Sequence, residues 1–144
     1  MLVSQILKSK ANDQVMTVQP QMTVAEAAAI LSEKRIGTLI VSRNGLTADG
    51  ILSERDIVRE VGKRGGSCLL DMVSTVMTAN PVTCTRHDTA DGVLQTMTDG
   101  RFRHLPVVEG GKMVGLISIG DVVKARLAEL SMEKSALEGM IMGN

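Results

Sequence analysis

A seven-residue phrase occurs twice in this 144-residue chain. It reads Gly-Ile-Leu-Ser-Glu-Arg-Asp at residues 50–56 and Gly-Leu-Ile-Ser-Ile-Gly-Asp at residues 115–121. Other segments repeat at a spacing of 66, whereas Asp56 and Asp121 are 65 apart. The lost residue falls in the loop before the phrase, where a true repeat tolerates a change in length. The chain is therefore predicted to fold into two structurally similar halves.

The order of elements is the same in both halves. In the first half, a short extended piece leads to a helix that a capping box of Thr23 and Glu26 should start and Gly37 should stop. Two β-branched apolar runs follow, at residues 38–42 and 50–53, and a second helix begins after them. Each half is thus predicted as strand, helix, strand, strand, helix.

Each half has only about 60 residues and one sheet face to bury, so it is marginal alone. Packing the two sheets through a pseudo-two-fold axis solves this problem and leaves clefts between the halves. The predicted fold class is therefore α/β (α+β), with two β-α-β-β-α repeats. We expect the first repeat, with an N-terminal segment, at residues 1–66, the second at 67–130 and a helical tail at 131–144.

The tail continues a long helix that is predicted to run from Asp121 to Met142. Its apolar stripe consists of Leu127, Leu130, Leu137 and Ile141. The stripe is too short for a sustained coiled coil, so it either packs on a partner subunit or folds back on its own domain.

Composition argues against several classes of function. The chain has 16 basic residues (Lys and Arg) and 16 acidic ones (Asp and Glu), so we expect no basic surface for nucleic acid. Aromatic residues make up only 1%, so we expect no platform on which bases could stack. No apolar run approaches the roughly 18 residues of a membrane span, and two cysteines make no disulfide framework. These features, together with N-terminal apolar residues that polar ones interrupt, predict a cytoplasmic protein. Without metal-ligand spacing or a nucleophile motif, we also expect no enzyme and no bound metal.

The repeated phrase ends a strand and begins a helix. Ser53 and Asp56, like Ser118 and Asp121, fall at the N-cap and N3 positions of the predicted helices. For a single occurrence, helix capping alone is a sufficient explanation. Two occurrences in register favour binding, because a helix N-terminus attracts anions and a carboxylate accepts hydrogen bonds from a ribose diol. Nearby arginines would then hold the phosphate, which the carboxylate repels.

The two halves resemble tandem cystathionine-β-synthase (CBS) repeats, also called a Bateman module, of the stand-alone bacterial type. The resemblance covers roughly residues 10–130, and residues 103–107 and 115–121 are its most typical segments. It implies that each site combines the Ser and Asp of one repeat with the first strand of the other. The implied ligand-binding residues are Ser118, Asp121, Arg103, His104 and Val15 in one site, and Ser53, Arg55, Asp56, Gly37, Thr38, Thr78, Pro81 and Val82 in the other.

The two implied sites differ in charge. Arg103 and His104 belong to the second-repeat site, whereas Gly37 and Thr38 at the matching positions carry no charge. We therefore expect the second-repeat site to prefer the phosphate-rich end of a ligand. Lys8 and Lys10 either reach a phosphate from the N-terminal segment or are simply solvated.

The resemblance implies a regulatory module that senses an adenine nucleotide, namely AMP, ADP, ATP or NAD, as a bound ligand and not as a catalytic cofactor. It also implies a homodimer, with an effector protein as a further partner and with no nucleic acid or membrane bound. Two alternatives stay open. One is a structural dimerisation module without a physiological ligand, and the other is a sensor of an S-adenosyl compound.

Overall fold

The computed structural model describes residues 1–10 and 15–142. The helices are α1 (Val3–Ser9), α2 (Val24–Lys34), α3 (Glu54–Arg64), α4 (Val73–Val76), α5 (Ala90–Gly100) and α6 (Ile119–Ile141), with a 3₁₀ segment at Gly65–Leu70. The strands are β1 (Thr17–Val18), β2 (Thr38–Val41), β3 (Gly50–Ser53), β4 (Thr78–Ala79), β5 (His104–Glu109) and β6 (Lys112–Ser118). Within the described ranges, no helix combines the length and the apolar character needed to cross a bilayer.

The two halves share a common strand arrangement, to which the first half adds β4 among the described residues. In the first, β1 runs parallel to β2, and β2 pairs antiparallel with β3, which pairs in turn with β4. In the second, β5 and β6 form an antiparallel pair, and Cys84 bridges Val107 in parallel. That bridge repeats the pairing of Val18 with Val41, 66 residues earlier in the chain. The predicted duplication and the mixed α/β fold class are confirmed.

Each half has a core of its own, built almost entirely from aliphatic side chains. Leu39 and Leu52 are fully buried in the first, and Ile117 is fully buried in the second. The halves meet where Thr38 Oγ1 lies 3.1 Å from His104 Nδ1. Because these residues occupy matching positions 66 apart, the pseudo-two-fold axis passes between them.

The helix starts follow the capping signals in the sequence. Thr23 caps α2 by accepting a hydrogen bond from the Glu26 amide, as predicted. The predicted stop at Gly37 is wrong, because α2 ends at Lys34 and Arg35 takes the left-handed conformation at φ 54°. The predicted long C-terminal helix is confirmed as α6.

The leading helix of each half packs on the opposite half. Val3 and Ile6 of α1 lie in the second core, although α1 precedes the first half and falls within the predicted first domain, 1–66. Val73 of α4 lies correspondingly in the first core. This exchange ties the two halves together through buried side chains, in addition to the contact between their sheets.

The glycine of the repeated phrase makes room for these leading helices. A Cβ at Gly50 would overlap Met77, which follows α4. A Cβ at Gly115 would come within 3.0 Å of the Leu7 side chain of α1. The glycine is therefore required by close packing against the helix that arrives from the other half.

Candidate functional site

The start of α3 presents a carboxylate and a hydroxyl at the end of β3. Ser53 Oγ accepts from the Asp56 amide at 3.2 Å, while Asp56 Oδ2 accepts from the Ser53 amide at 2.8 Å and its hydroxyl at 3.1 Å. These bonds form a complete capping box, so the capping explanation holds. Asp56 Oδ1 faces outward, 3.4 Å from Arg59 Nη1. One carboxylate oxygen thus remains well placed to accept from a ligand.

The start of α6 repeats this geometry with one addition. Ser118 Oγ accepts from the Asp121 amide at 3.1 Å, and Asp121 Oδ2 accepts from the Ser118 amide at 2.9 Å. Lys10 Nζ also lies 3.0 Å from Asp121 Oδ2. Burial acts to raise the pKa of Asp121, but the hydrogen bonds from Ser118 and Lys10 outweigh it and hold that pKa below 3.8. Asp121 is therefore ionised and already paired.

A cavity of about 310 Å³ lies between the halves at the start of α3. One wall comes from the first half and the segment that follows it, and the other from the turn between α5 and β5. The lining residues are Gly37, Thr38, Ile51, Ser53, Glu54, Arg55, Asp56, Arg59, Thr78, Gly100, Arg101, Phe102, Arg103 and His104. Its volume is at the lower end of the range for small-molecule sites.

Four arginines and two carboxylates line this cavity. Arg55 and Arg59 project from one side of α3, one helical turn apart. Arg101 and Arg103 come from the opposite wall, where Arg101 ends α5 in the left-handed conformation at φ 57°. With Glu54 and Asp56 as the only carboxylates among the lining residues, positive charge is in excess. The planar, always-charged guanidinium groups suit an oxygen-rich anion.

His104 stands between the two helix starts. Burial lowers its pKa below 6.5; Asp121 opposes that shift, whereas Lys10 and Arg103 add to it. The ring is therefore neutral at pH 7, and its Nδ1 shares a hydrogen bond with Thr38 Oγ1. A neutral imidazole at this junction adds a hydrogen-bonding group without adding charge.

The grouping of the sequence-predicted residues differs in part from the expectation. His104 pairs with Ser118 across β5 and β6, as expected, and the Arg103 carbonyl accepts from the Ile119 amide at 2.8 Å. Arg103 and His104 nevertheless also line the cavity with Ser53 and Asp56. The physical reason is that the turn before β5 faces across the pseudo-two-fold axis toward α3. The charge that was expected to favour phosphate at the second-repeat site therefore lies in the first cavity.

Of the other predicted residues, some line the cavity and some lie outside it. Gly37, Thr38, Arg55 and Thr78 line the cavity as expected. Pro81 and Val82, which were expected here, follow β4 outside the lining. Val15, which was expected at the other site, precedes β1.

Sequence reasoning did not place six of the lining residues in a site, namely Ile51, Glu54, Arg59, Gly100, Arg101 and Phe102. Arg59 could have been found from its i, i+4 spacing to Arg55 on one helix. Phe102, the single aromatic residue of the chain, could have been found from its place next to Arg103. Neither the cavity nor any other part of the described chain brings three His, Cys, Asp or Glu side chains into a metal-binding group.

Comparison with known proteins identifies the family. The model of the CBS domain family matches residues 3–63 and again residues 73–128. The crystal structure of a CBS-domain protein from Agrobacterium tumefaciens has 43% sequence identity and a TM-score of 0.83, covering 88% of this chain and 99% of that one. A CBS-domain protein from Pyrobaculum aerophilum, complexed with AMP, has 26% identity and a TM-score of 0.75, covering 92% of this chain and 99% of that one.

A curated plant relative agrees with these structures. The mitochondrial CBS domain-containing protein CBSX3 of Arabidopsis thaliana is 32% identical over 148 residues, covering 98% of this chain and 72% of that protein. Further curated plant relatives are much longer, and the chain spans only 23% of the length of one and 22% of another. Two family matches, two pseudo-symmetric halves and the repeated capping boxes lead to one conclusion: the chain belongs to the CBS domain family and carries two CBS domains in tandem.

Proposed function

We propose that the protein is a regulatory module that binds an adenine nucleotide, and that it does so in the cavity at the start of α3. The observation that carries the proposal is the pairing, in one 310 Å³ cavity, of the Asp56 carboxylate with four arginines. A ribose needs an acceptor for its hydroxyls and a phosphate needs cations, so a nucleotide satisfies both groups at once.

The ribose is assigned to the α3 side of the cavity. Asp56 Oδ2 is already used by the capping box, whereas Oδ1 is free of backbone partners. A hydroxyl that donates to Oδ1 replaces only the long contact with Arg59, whose side chain is 60% exposed. Losing the Arg59 contact costs little free energy, because exposed ion pairs contribute little to stability.

The phosphate is assigned to Arg101 and Arg103 on the opposite wall. Both lie apart from the two carboxylates, which belong to α3, so the anion meets charge of the favourable sign. Arg55 and Arg59 extend the same positive surface along α3. This surface favours a ligand with two or more phosphates, such as ADP, ATP or NAD, over AMP, and favours all of these over a cationic S-adenosyl compound.

The base is assigned to the apolar part of the lining. Ile51 and Phe102 supply this surface, and Phe102 is held by packing against Gly100. An aromatic ring beside an apolar side chain binds a purine face without reading its edge. The AMP bound by the Pyrobaculum protein supports an adenine base in this family.

A thermal-shift panel tests the proposal. ADP should raise the melting temperature in proportion to the logarithm of its concentration, because a ligand that binds only the folded state stabilises it by mass action. Arg103→Ala should weaken the effect of ADP more than that of adenosine. A melting temperature unchanged by every adenine nucleotide at millimolar concentration would refute nucleotide binding.

A structural dimerisation module is the second candidate, and one observation favours it. Leu127, Leu130, Leu137 and Ile141, the stripe on α6, are 62%, 50%, 59% and 84% exposed. We propose a homodimer that covers part of this stripe. Such a dimer is compatible with nucleotide binding, in which case the regulatory signal passes to an effector protein. Light scattering should give twice the 15.4 kDa mass of the chain, and Leu130→Glu should give the single mass.

A further inference from the structure

The carboxylate at the start of α6 has a lysine partner from another element, whereas the carboxylate at the start of α3 contacts only Arg59 of its own helix among the described ion pairs. Lys10 Nζ lies 3.0 Å from Asp121 Oδ2 and donates to the Leu116 carbonyl oxygen at 2.9 Å. The Lys10 and Asp121 side chains are only 23% and 22% exposed. The ammonium group is therefore largely buried at the start of α6, at the carboxylate that corresponds to Asp56. The region around Ser118 and Asp121, which matches the first cavity by the pseudo-two-fold axis, is called the second cleft below.

Lys10 belongs to a stretch without a counterpart in the other half. The leading helices match at an offset of 70, since Leu2 bridges Thr89 as Met72 bridges Thr23. From the first strand onward the halves match at an offset of 66, so the connection after α1 is four residues longer than the one after α4. Accordingly, α1 has 7 residues and α4 has 4. The added turn of helix and the residue that follows it are what carry the lysine to the cleft.

Buried contacts fix the helix that delivers this lysine. Val3 and Ile6 are 0% and 2% exposed in the second core, and Leu7 packs against Gly115. The N-terminal ammonium of Met1 lies 3.2 Å from Glu129 of α6. Much of the entropy needed to hold Lys10 in place is therefore lost already when α1 packs, which makes the contact cheaper than an isolated ion pair.

We propose that Lys10 is a built-in occupant of the second cleft. Its ammonium group neutralises Asp121 and binds the Leu116 carbonyl, so a ribose diol has to displace it before it can bind there. The chain then takes one nucleotide, in the cavity of Asp56, and the second cleft opens only when the end of α1 moves. This inference rests on the proposed nucleotide binding and specifies how many nucleotides each chain binds.

Isothermal titration with ADP, comparing the unmodified chain with Lys10→Ala, tests the proposal. We expect one ADP per chain for the unmodified protein and for Lys10→Arg, which keeps a cation at the cleft. Lys10→Ala should bind a second, weaker ADP, and this second binding should disappear in Lys10→Ala combined with Asp121→Ala. One ADP per chain in Lys10→Ala would overturn the inference while leaving the proposed function intact. Two per chain in the unmodified protein, with one lost in Lys10→Ala, would overturn it by making Lys10 a phosphate ligand.

A second measurement needs no nucleotide. Lys8 lies in α1, two residues before Lys10, and is exposed, so it provides an internal reference for Lys10. Under limited acetylation followed by mass spectrometry, Lys10 should react at least tenfold more slowly than Lys8, and Asp121→Asn should remove most of this protection. Equal rates in the unmodified protein would overturn the inference whatever the protein binds. Absence of ADP binding in every variant would refute the proposed function, and the stoichiometry with it.

Discussion

Replacing Asp56 by Ala separates its capping role from its proposed binding role. The carboxylate accepts two hydrogen bonds from Ser53, at 2.8 and 3.1 Å, so its loss should lower the free energy of unfolding by about 1–2 kcal/mol. For binding, the variant loses a charged acceptor for a ribose hydroxyl, a bond of about 2 kcal/mol. That free energy corresponds to a Kd for ADP raised roughly 30-fold.

Urea unfolding and isothermal titration measure the two effects on the same samples. Thr23→Ala is the matched control: Thr23 caps α2 through the Glu26 amide, lies outside the cavity and should cost about 1 kcal/mol of stability. The control should keep the Kd for ADP within threefold of the unmodified protein. If Asp56→Ala also keeps it within threefold, Asp56 is only a helix cap and the ribose assignment is wrong.

Three further predictions follow from burial and charge. Burial lowers the pKa of His104 below 6.5, so the folded protein resists protonation of this ring. The free energy of unfolding should therefore fall as the pH drops below about 6.5. Urea midpoints between pH 7.5 and 5.5 should show this fall, and His104→Gln should make it smaller. Burial, with a smaller contribution from Asp88, raises the pKa of Cys84 to about 12, and Cys68 is 0% exposed, so neither thiol should react with a disulfide reagent at pH 8 until the protein unfolds. Ile6→Ala should cost about 2–4 kcal/mol in the same urea experiment, since Ile6 is 2% exposed in the second core; a loss below 0.5 kcal/mol would mean that α1 does not pack there.

The halves and their helix starts could be predicted because their signals are local. A capping box at Ser53 or Ser118 fixes the start of a helix from four neighbouring residues, and a repeat in register predicts the same start twice. The end of α2 at Lys34 could not be predicted in this way. A left-handed Arg35 is unfavourable in isolation, and the surrounding fold decides it.

The set of residues that line the cavity could not be predicted, because it depends on contacts between the two halves and not on neighbours in the sequence. Which cleft Arg103 faces is set by the direction of the turn between α5 and β5 relative to the pseudo-two-fold axis. The pairing of Lys10 with Asp121 depends in the same way on α1 crossing to the opposite half. Read from sequence alone, Lys10 is one of many charged surface residues, and nothing in its neighbours identifies the carboxylate 111 positions away.

A crystal structure of the chain grown with ADP tests the central claim most directly. We expect one nucleotide per chain, with the ribose within hydrogen-bond distance of Asp56 Oδ1 and the phosphates against Arg101 and Arg103. Lys10 should remain on Asp121. A nucleotide bound at Asp121 with Lys10 displaced, or an empty cavity at an ADP concentration that saturates binding in solution, would contradict it.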